Sequence, residues 1–479
     1  MSHFQFPSKK TRVVATIGPA SRSRAMLEAL VQAGMNVARI NFAHGDLDGH
    51  RAVISELRTV AAALGRRIAI MGDLPGPKMR IGRLREEPIR LERGQRFGLQ
   101  VGEGVGDQGR AFIDFERLVR VVKPGDQIFL NDGYVQLKVE GVHHDTVETT
   151  VEVGGELRSH KGVNFPGIDL GISAFTERDR ELLAFAAQER LDAVSQSFVA
   201  TADDLAAVRT AAHTLDYEPM VIAKIERASA VKNMDAILAA ADGIMVARGD
   251  LGVEIPIEEV AAIQKEIILR AKLAAKPVIT ATQMLESMVH YRRPTRAEVS
   301  DVTNAILDGS DAVMLSGETA VGDYPSEAVA MMVRIAAVTE RMPHQAMLAE
   351  VVELALKART IELEDHVSLS TYFTAETMAP DIIFAVTATG GTARRMARFG
   401  LPGWIVAFSA NESTCQRLQF VRGVYTVLVP ERPASWAEYA RKWVHEKGLE
   451  AKLAILTEGG GTLRTSGATR LEIIDLRRV

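Results

Sequence analysis

The sequence predicts an α/β protein: an eight-stranded parallel (β/α)8 barrel with an all-β domain inserted in one loop and an open α/β domain after it. Three observations carry that prediction. Short β-branched runs alternate with segments of helical period, and eight such runs lie in the first two thirds of the 479 residues. Polar and ionisable residues recur at the C-terminal ends of these runs, the face on which such barrels build their sites. One long gap in the alternation contains only short period-two runs.

The first three runs are RVVATIG (12–18), NVARINF (36–42) and IAIMGDL (68–74). The pattern resumes with AVSQSFV (193–199), VIAKIE (221–226), GIMVARGD (243–250), VITATQM (278–284) and DAVMLSGE (311–318). Amphipathic helices are expected between them, for example over 23–33 and 326–340. The gap holds RFGLQV, AFIDF, QIFLND, VQLKVEGV and TVETTVEV, punctuated by Gly, Asp and Pro, and reads as a small β-barrel domain in a βα loop. Gly104, Gly106 and Gly109 match GxGxxG there, but strands flank them on both sides and no helix follows, so a dinucleotide fold is rejected. Beyond 342, helices lead into IIFAVTATG (382–390), followed by WIVAFSA, VYTVLV and LAILTEG. The expected division is a barrel at 1–76 and 173–342, an insert at 77–172 and a C-terminal domain at 343–479.

Composition excludes several classes of function. Hydrophobic residues make up 47%, charged residues 25%, and the net charge is −4, which offers no basic surface for nucleic acid or anionic membrane. No apolar run approaches a membrane span, and the N-terminus lacks an apolar leader segment. The lone cysteine, Cys415, forms no intrachain disulfide and fits a reducing compartment, so a cytoplasmic location is expected.

Side chains two apart on a strand share a face, which joins Arg39 with Asn41, Lys224 with Glu226, Arg248 with Asp250, and Ser316 with Glu318. On neighbouring strands, Glu226 and Asp250 are positioned to share a hard cation through carboxylate oxygens, as Mg²⁺ prefers. Spacing alone leaves a second reading open, in which these are unrelated ion pairs at the barrel mouth. Lys224 and Arg39 add two cations facing the same space, and cations around a metal are what phosphoryl transfer requires. The backbone beside Gly249 and the hydroxyl of Thr282 offer donors for a substrate carboxylate.

TIGPAS (16–21), MNVARINFAHG (35–45), KIE (224–226), MVARGDLGVEIP (245–256), ATQMLESM (281–288), RPTRAEVSDV (293–302) and MLSGETAVGDYP (314–325) resemble, in order, the motifs of the pyruvate kinase family. That resemblance implies a reaction between phosphoenolpyruvate and ADP giving ATP and pyruvate. Glu226 and Asp250 would ligate Mg²⁺ or Mn²⁺, and Lys224 and Arg39 would hold the moving phosphoryl group. Gly249, Asp250 and Thr282 would take the substrate carboxylate. Pro19, Asn41, His44 and Arg80 would border the nucleotide, with Lys161 reaching its phosphates as the insert closes as a lid. Thr282 and Ser316, supported by Glu318, would protonate the enolate. A homotetramer is implied as well, and so is a sugar-phosphate activator at Thr387, Thr389, Gly391 and Thr392.

The chain departs from the family at three points. QSFVATADD (196–204) lacks a basic pair after the phenylalanine. The late loop GGGTLRTSGATR (459–470) and Ala388 depart from the usual fructose-bisphosphate pattern, so the activator's identity stays open. Where relatives hold K⁺ with an asparagine, a serine, an aspartate and a threonine carbonyl, this chain keeps Asn41 and Asp73 but has Ala43 and Leu74. Lys78 replaces a nearby glutamate, and a fixed ammonium excludes a mobile cation from the same space, so independence of K⁺ is expected. Two rivals remain: a metal-dependent aldolase or lyase acting on 2-keto acids, and a catalytically dead sugar-phosphate sensor.

Overall fold

A computed structural model describes residues 4–342, 345–357, 363–459 and 469–477. Eight parallel strands close into a barrel: β1 (Arg12–Ile17), β2 (Val37–Asn41), β3 (Ala69–Leu74), β4 (Ala193–Gln196), β5 (Met220–Ile225), β6 (Gly243–Ala247), β7 (Val278–Ala281) and β8 (Ala312–Leu315). Each pairs with its sequence neighbour, and β1 pairs with β8 to complete the ring. Nearly every strand residue is buried because one face lines the barrel interior and the other lies under helices. The outward set, including Val13, Ile40, Val194, Val221 and Val313, forms the larger core with those helices.

Local signals set the helix ends. The helix Arg24–Ala33 starts at Ser23, whose hydroxyl accepts from the Met26 amide, and stops at Gly34, which adopts φ 110°. Glu177–Gln188 and Arg296–Leu307 each open with a capping box, Thr176 with Asp179 and Thr295 with Glu298.

Strands of the insert form a six-stranded sheet and two short two-stranded sheets over an apolar core of their own. The large sheet is not a fully laddered barrel. Its two edge strands, Val163–Asn164 and Arg110–Ile113, are joined only by single bridges from the entering chain, Arg80 with Gly162 and Ile81 with Ile113.

After the barrel, β9 (Ile382–Val386), β10 (Trp404–Ser409), β11 (Val424–Leu428) and β12 (Leu453–Glu458) run parallel. A fifth strand that the sequence reading missed, β13 (Arg470–Asp475), pairs antiparallel with β12. This domain seals the N-terminal end of the barrel. Phe420 is fully buried in the barrel's inner cluster, among Val14, Met71, Met220 and Met314. Around it, the Arg12 guanidinium donates to the Val421 carbonyl at 2.8 Å, and the Arg422 amide donates to the Asp311 carboxylate at 3.1 Å. Among the described residues, no helix is long and apolar enough to cross a membrane.

Candidate active site

The inner face of the barrel changes character along β1 to β5 in steps of two. Val14 gives way to Thr16, Val37 to Arg39 and Asn41, and Met71 to Asp73. Likewise Ala193 gives way to Ser195 and Ser197, and Ile222 to Lys224 and Glu226. The apolar half packs on Phe420 and the polar half opens at the C-terminal mouth. Strand register aligns the layers, with Asn41 and Ser195 on either side of Asp73.

Asp73 is the hub of this layer. Its carboxylate accepts from Arg39 at 2.5 Å and Ser195 at 2.5 Å, and the Lys224 ammonium stands 3.4 Å away. Burial pushes the Asp73 carboxyl up, but the Arg39 and Lys224 charges and the Ser195 hydroxyl outweigh it and hold it at about 2. Arg39 also donates to Thr16 at 3.0 Å, while its buried Nε has no hydrogen-bond partner among the described residues. An orphaned guanidinium donor in a layer that also holds the Lys224 ammonium suits an anionic ligand.

Lys224 is buried and touches three groups: Asp73, the Ser197 hydroxyl at 2.6 Å and the Glu226 carboxylate at 2.9 Å. Burial alone would lower its pKa; the Asp73 and Glu226 charges turn the shift upward, so the ammonium keeps its proton. Glu226 is fully enclosed, with one oxygen on Lys224 and the other accepting from the Phe198 amide at 2.7 Å. Burial raises its pKa against the pull of Lys224, and the negative charge of Asp250 adds to the rise.

Two carboxylates that repel each other suit a divalent cation. Among the described residues no group of three or more His, Cys, Asp or Glu side chains is arranged to hold a metal. Glu226 and Asp250 would therefore be the only carboxylate ligands, leaving the remaining positions to water and substrate oxygens, as Mg²⁺ tolerates.

Several sequence expectations need correction. Arg248 and Asp250 do not alternate on a strand, because β6 ends at Ala247 and Arg248–Glu254 is a helical segment. Arg248 turns away to Asp301 at 2.6 Å and to the Thr282 carbonyl at 2.9 Å. The Gly249 amide, expected to meet a substrate carboxylate, donates to the Thr282 hydroxyl at 2.8 Å. Thr282 itself lies beyond β7 in the left-handed region, at φ 66°. Glu318 is wholly buried, its two oxygens accepting from the Leu285 and Ser316 amides at 2.9 and 2.7 Å. It therefore anchors two loop backbones, one of them at Ser316 itself.

The charged partner of Lys78 is Asp250, at 3.8 Å, and not Asp73. Hinge geometry explains this. Gly76 turns the chain in the left-handed region at φ 62°, the Lys78 amide folds back onto the Gly76 carbonyl, and the side chain reaches across the mouth. Asn41 accepts from the Ala43 amide at 3.1 Å. Pro19, His44 and Arg80 are exposed and Lys161 is partly buried; Arg80 donates to the His160 carbonyl at 2.9 Å. Gly18 has no room for a side chain, since a Cβ would meet the Ala320 carbonyl oxygen at 2.6 Å, which fixes the Pro19 loop against the loop after β8.

Comparisons with known proteins agree with this architecture. The family model described as "Pyruvate kinase, barrel domain" matches residues 8–329, and "Pyruvate kinase, alpha/beta domain" matches 365–471. A protein named pyruvate kinase from Thermococcus litoralis is 44% identical over 98% of this chain and 100% of its own length. The pyruvate kinase of Clostridium acetobutylicum is 40% identical over 97% of this chain and 98% of its own. That of Geobacillus stearothermophilus is 42% identical over 88% of this chain and 72% of its own. The chain belongs to the pyruvate kinase family.

Within that family framework, two hydroxyls escaped the sequence reading. Ser195 and Ser197 hold Asp73 and Lys224, and the period-two rule that joined Lys224 to Glu226 would have joined them too. In the C-terminal domain the loop after β9 opens the helix Gly391–Ala397, as expected for TATGGTA. Thr387, however, is buried and its hydroxyl accepts from the Gly390 amide at 2.9 Å, so that oxygen is committed to the loop itself. Thr389 is exposed, and Gly391 and Thr392 are partly exposed. Most of the late loop, residues 460–468, lies outside the described residues.

Proposed function

We propose that this chain transfers the phosphoryl group of phosphoenolpyruvate to ADP, yielding ATP and pyruvate. The observation that carries the reading is the buried, charged Lys224 ammonium flanked by Arg39 and by the Glu226 carboxylate. Phosphoryl transfer demands little covalent chemistry from the protein; it demands fixed positive charge where the transition state spreads negative charge. In this reading Lys224 faces the moving group, and Arg39, through its unpaired Nε, holds the same phosphate. Thr282 and the backbone around Gly249 and Asp250 orient the substrate carboxylate, which requires the Gly249 amide to leave the Thr282 hydroxyl on binding. Glu226 and Asp250 hold Mg²⁺ or Mn²⁺, which when bound supplies further charge neutralisation. The nucleotide lies against Pro19, Asn41, His44 and Arg80, and Lys161 meets its phosphates when the 77–172 insert closes and excludes water. Thr282 and Ser316 deliver the proton to the enolate.

Finer points belong to the same proposal. The loss of the serine hydroxyl at Ala43, the change of threonine to Leu74 and Lys78 in the mouth support activity without K⁺. Exposed Thr389 and the neighbouring Gly391 and Thr392 support a sugar-phosphate activator on the C-terminal domain. The enzyme works as a homotetramer in the cytoplasm, where the buried thiol of Cys415 stays reduced.

A coupled assay tests the central claim: pyruvate should form from phosphoenolpyruvate only when ADP and a divalent cation are both present. Pyruvate release from a 2-keto acid without ADP would replace this reading with a lyase.

A further inference from the structure

After β4 the chain makes a tight turn through Ser197 and Phe198 that joins the two groups on which the proposed reaction depends. The Ser197 hydroxyl accepts from the Lys224 ammonium at 2.6 Å. One residue later, the Phe198 amide donates to the Glu226 carboxylate at 2.7 Å, and the other oxygen of Glu226 meets Lys224 at 2.9 Å. Ser197, Lys224 and Glu226 are all buried. Adjacent residues of one turn thus hold both ends of one ion pair.

The turn itself is strained. Phe198 adopts φ 58°, a left-handed conformation that a residue with an aromatic Cβ substituent rarely takes. Such a conformation persists only where its surroundings impose it. Here the Gln196 side chain donates to the Ala174 carbonyl at 2.7 Å and the Ser197 carbonyl at 3.1 Å. The Ser197 amide is tied to the Leu74 carbonyl at 3.2 Å. The Phe198 ring and the Ser197 carbonyl both crowd Gly76, where a Cβ would meet each at 3.1 Å. An extended Phe198 would swing its amide away from Glu226.

We infer that the Ser197–Phe198 turn is a positioning element, in which the Ser197 hydroxyl aims the Lys224 ammonium and the left-handed Phe198 amide orients the Glu226 carboxylate toward the divalent cation. Neither residue touches the reacting atoms; each acts through its neighbour. Gly76 begins the hinge of the insert, so the turn also packs directly against the point about which the lid would move.

The inference rests on the proposed roles of Lys224 and Glu226, and the experiment separates the two. Wild type, Ser197→Ala, Ser197→Thr, Phe198→Gly and Phe198→Val are compared in steady-state kinetics, thermal unfolding and Mn²⁺ binding without substrate. Loss of a hydrogen bond to a charged group predicts a kcat lower by about ten- to a hundredfold in Ser197→Ala, with KM for phosphoenolpyruvate and Tm nearly unchanged. Ser197→Thr, which keeps the acceptor, should recover kcat to within about threefold. Phe198→Gly keeps both amide and conformation and should bind Mn²⁺ like wild type, whereas β-branched Phe198→Val should bind it about tenfold more weakly. If Ser197→Ala does not fold, Ser197→Cys, a weak acceptor of similar shape, is read in its place.

Wild-type activity with kcat in Ser197→Ala or its substitute within threefold of normal overturns the positioning of Lys224. Equal Mn²⁺ affinity in Phe198→Gly and Phe198→Val overturns the role of the amide. A wild type that makes no pyruvate from phosphoenolpyruvate and ADP overturns the functional reading instead.

Discussion

The Lys224 ammonium lies 2.9 Å from the Glu226 carboxylate, and both side chains leave the same face of one strand end, two residues apart. In a buried site such proximity keeps the lysine charged, because Asp73 and Glu226 together reverse the effect of desolvation. Removing the charge should therefore remove transition-state stabilisation. Lys224→Met is expected to lower kcat by at least about a hundred- to a thousandfold, as for loss of one preorganised charge worth ~3–4 kcal/mol, while KM changes much less. Turnover within tenfold of wild type would sink this role.

Lys78 bears on the monovalent-cation question in a different way from the sequence expectation. Its ammonium sits 3.8 Å from Asp250, so its charge already occupies the mouth before any ligand binds. Two unit charges about 4 Å apart repel by roughly 4 kcal/mol at an effective dielectric of about 20, which disfavours a mobile cation nearby. Activity in tetramethylammonium salt should match that in potassium salt at equal ionic strength, and Lys78→Glu should lose activity that added K⁺ partly restores. Stimulation of the wild type tenfold or more by K⁺ would refute the proposal.

Asp192, just before β4, accepts from the Ile70 amide at 2.8 Å in a half-buried position. Burial raises its carboxyl from an ordinary 3.8 to about 6, against the pull of that amide and of three arginines. The native state therefore holds a proton that the unfolded chain has already released, and wild-type stability falls as pH rises through that window. Asp192→Asn keeps the acceptor and removes the charge. It should be more stable than wild type at neutral pH by about 1–3 kcal/mol, with the gain fading as pH drops toward about 4. Denaturant midpoints at three pH values would show this; an unchanging difference would contradict it.

Phe420 should matter to the barrel although it belongs to the C-terminal domain. It is fully buried beneath the inner cluster of Val14, Met71, Met220 and Met314. Truncating a large buried aromatic costs about 3–5 kcal/mol, so Phe420→Ala should lower Tm sharply, and both domains should loosen in hydrogen exchange. A loss confined to the C-terminal domain would show that the plug is dispensable.

The sequence by itself determined the barrel, its insert and its C-terminal domain, because buried strands and amphipathic helices write two different periods into the chain. The same period-two rule aligned Arg39 with Asn41 and Lys224 with Glu226, since those pairs stay on strands or end them. It failed at Asp250 and Glu318, where the chain leaves the strand and turns into a helix, so that spacing no longer fixes direction. Tertiary structure alone decided which groups meet: Ser195 with Asp73, Ser197 with Lys224, the Phe198 amide with Glu226, Lys78 with Asp250 and Phe420 under the barrel. These contacts join residues distant in sequence, and their partners are chosen by barrel closure and by the space left at its two ends. Local pattern carries neither.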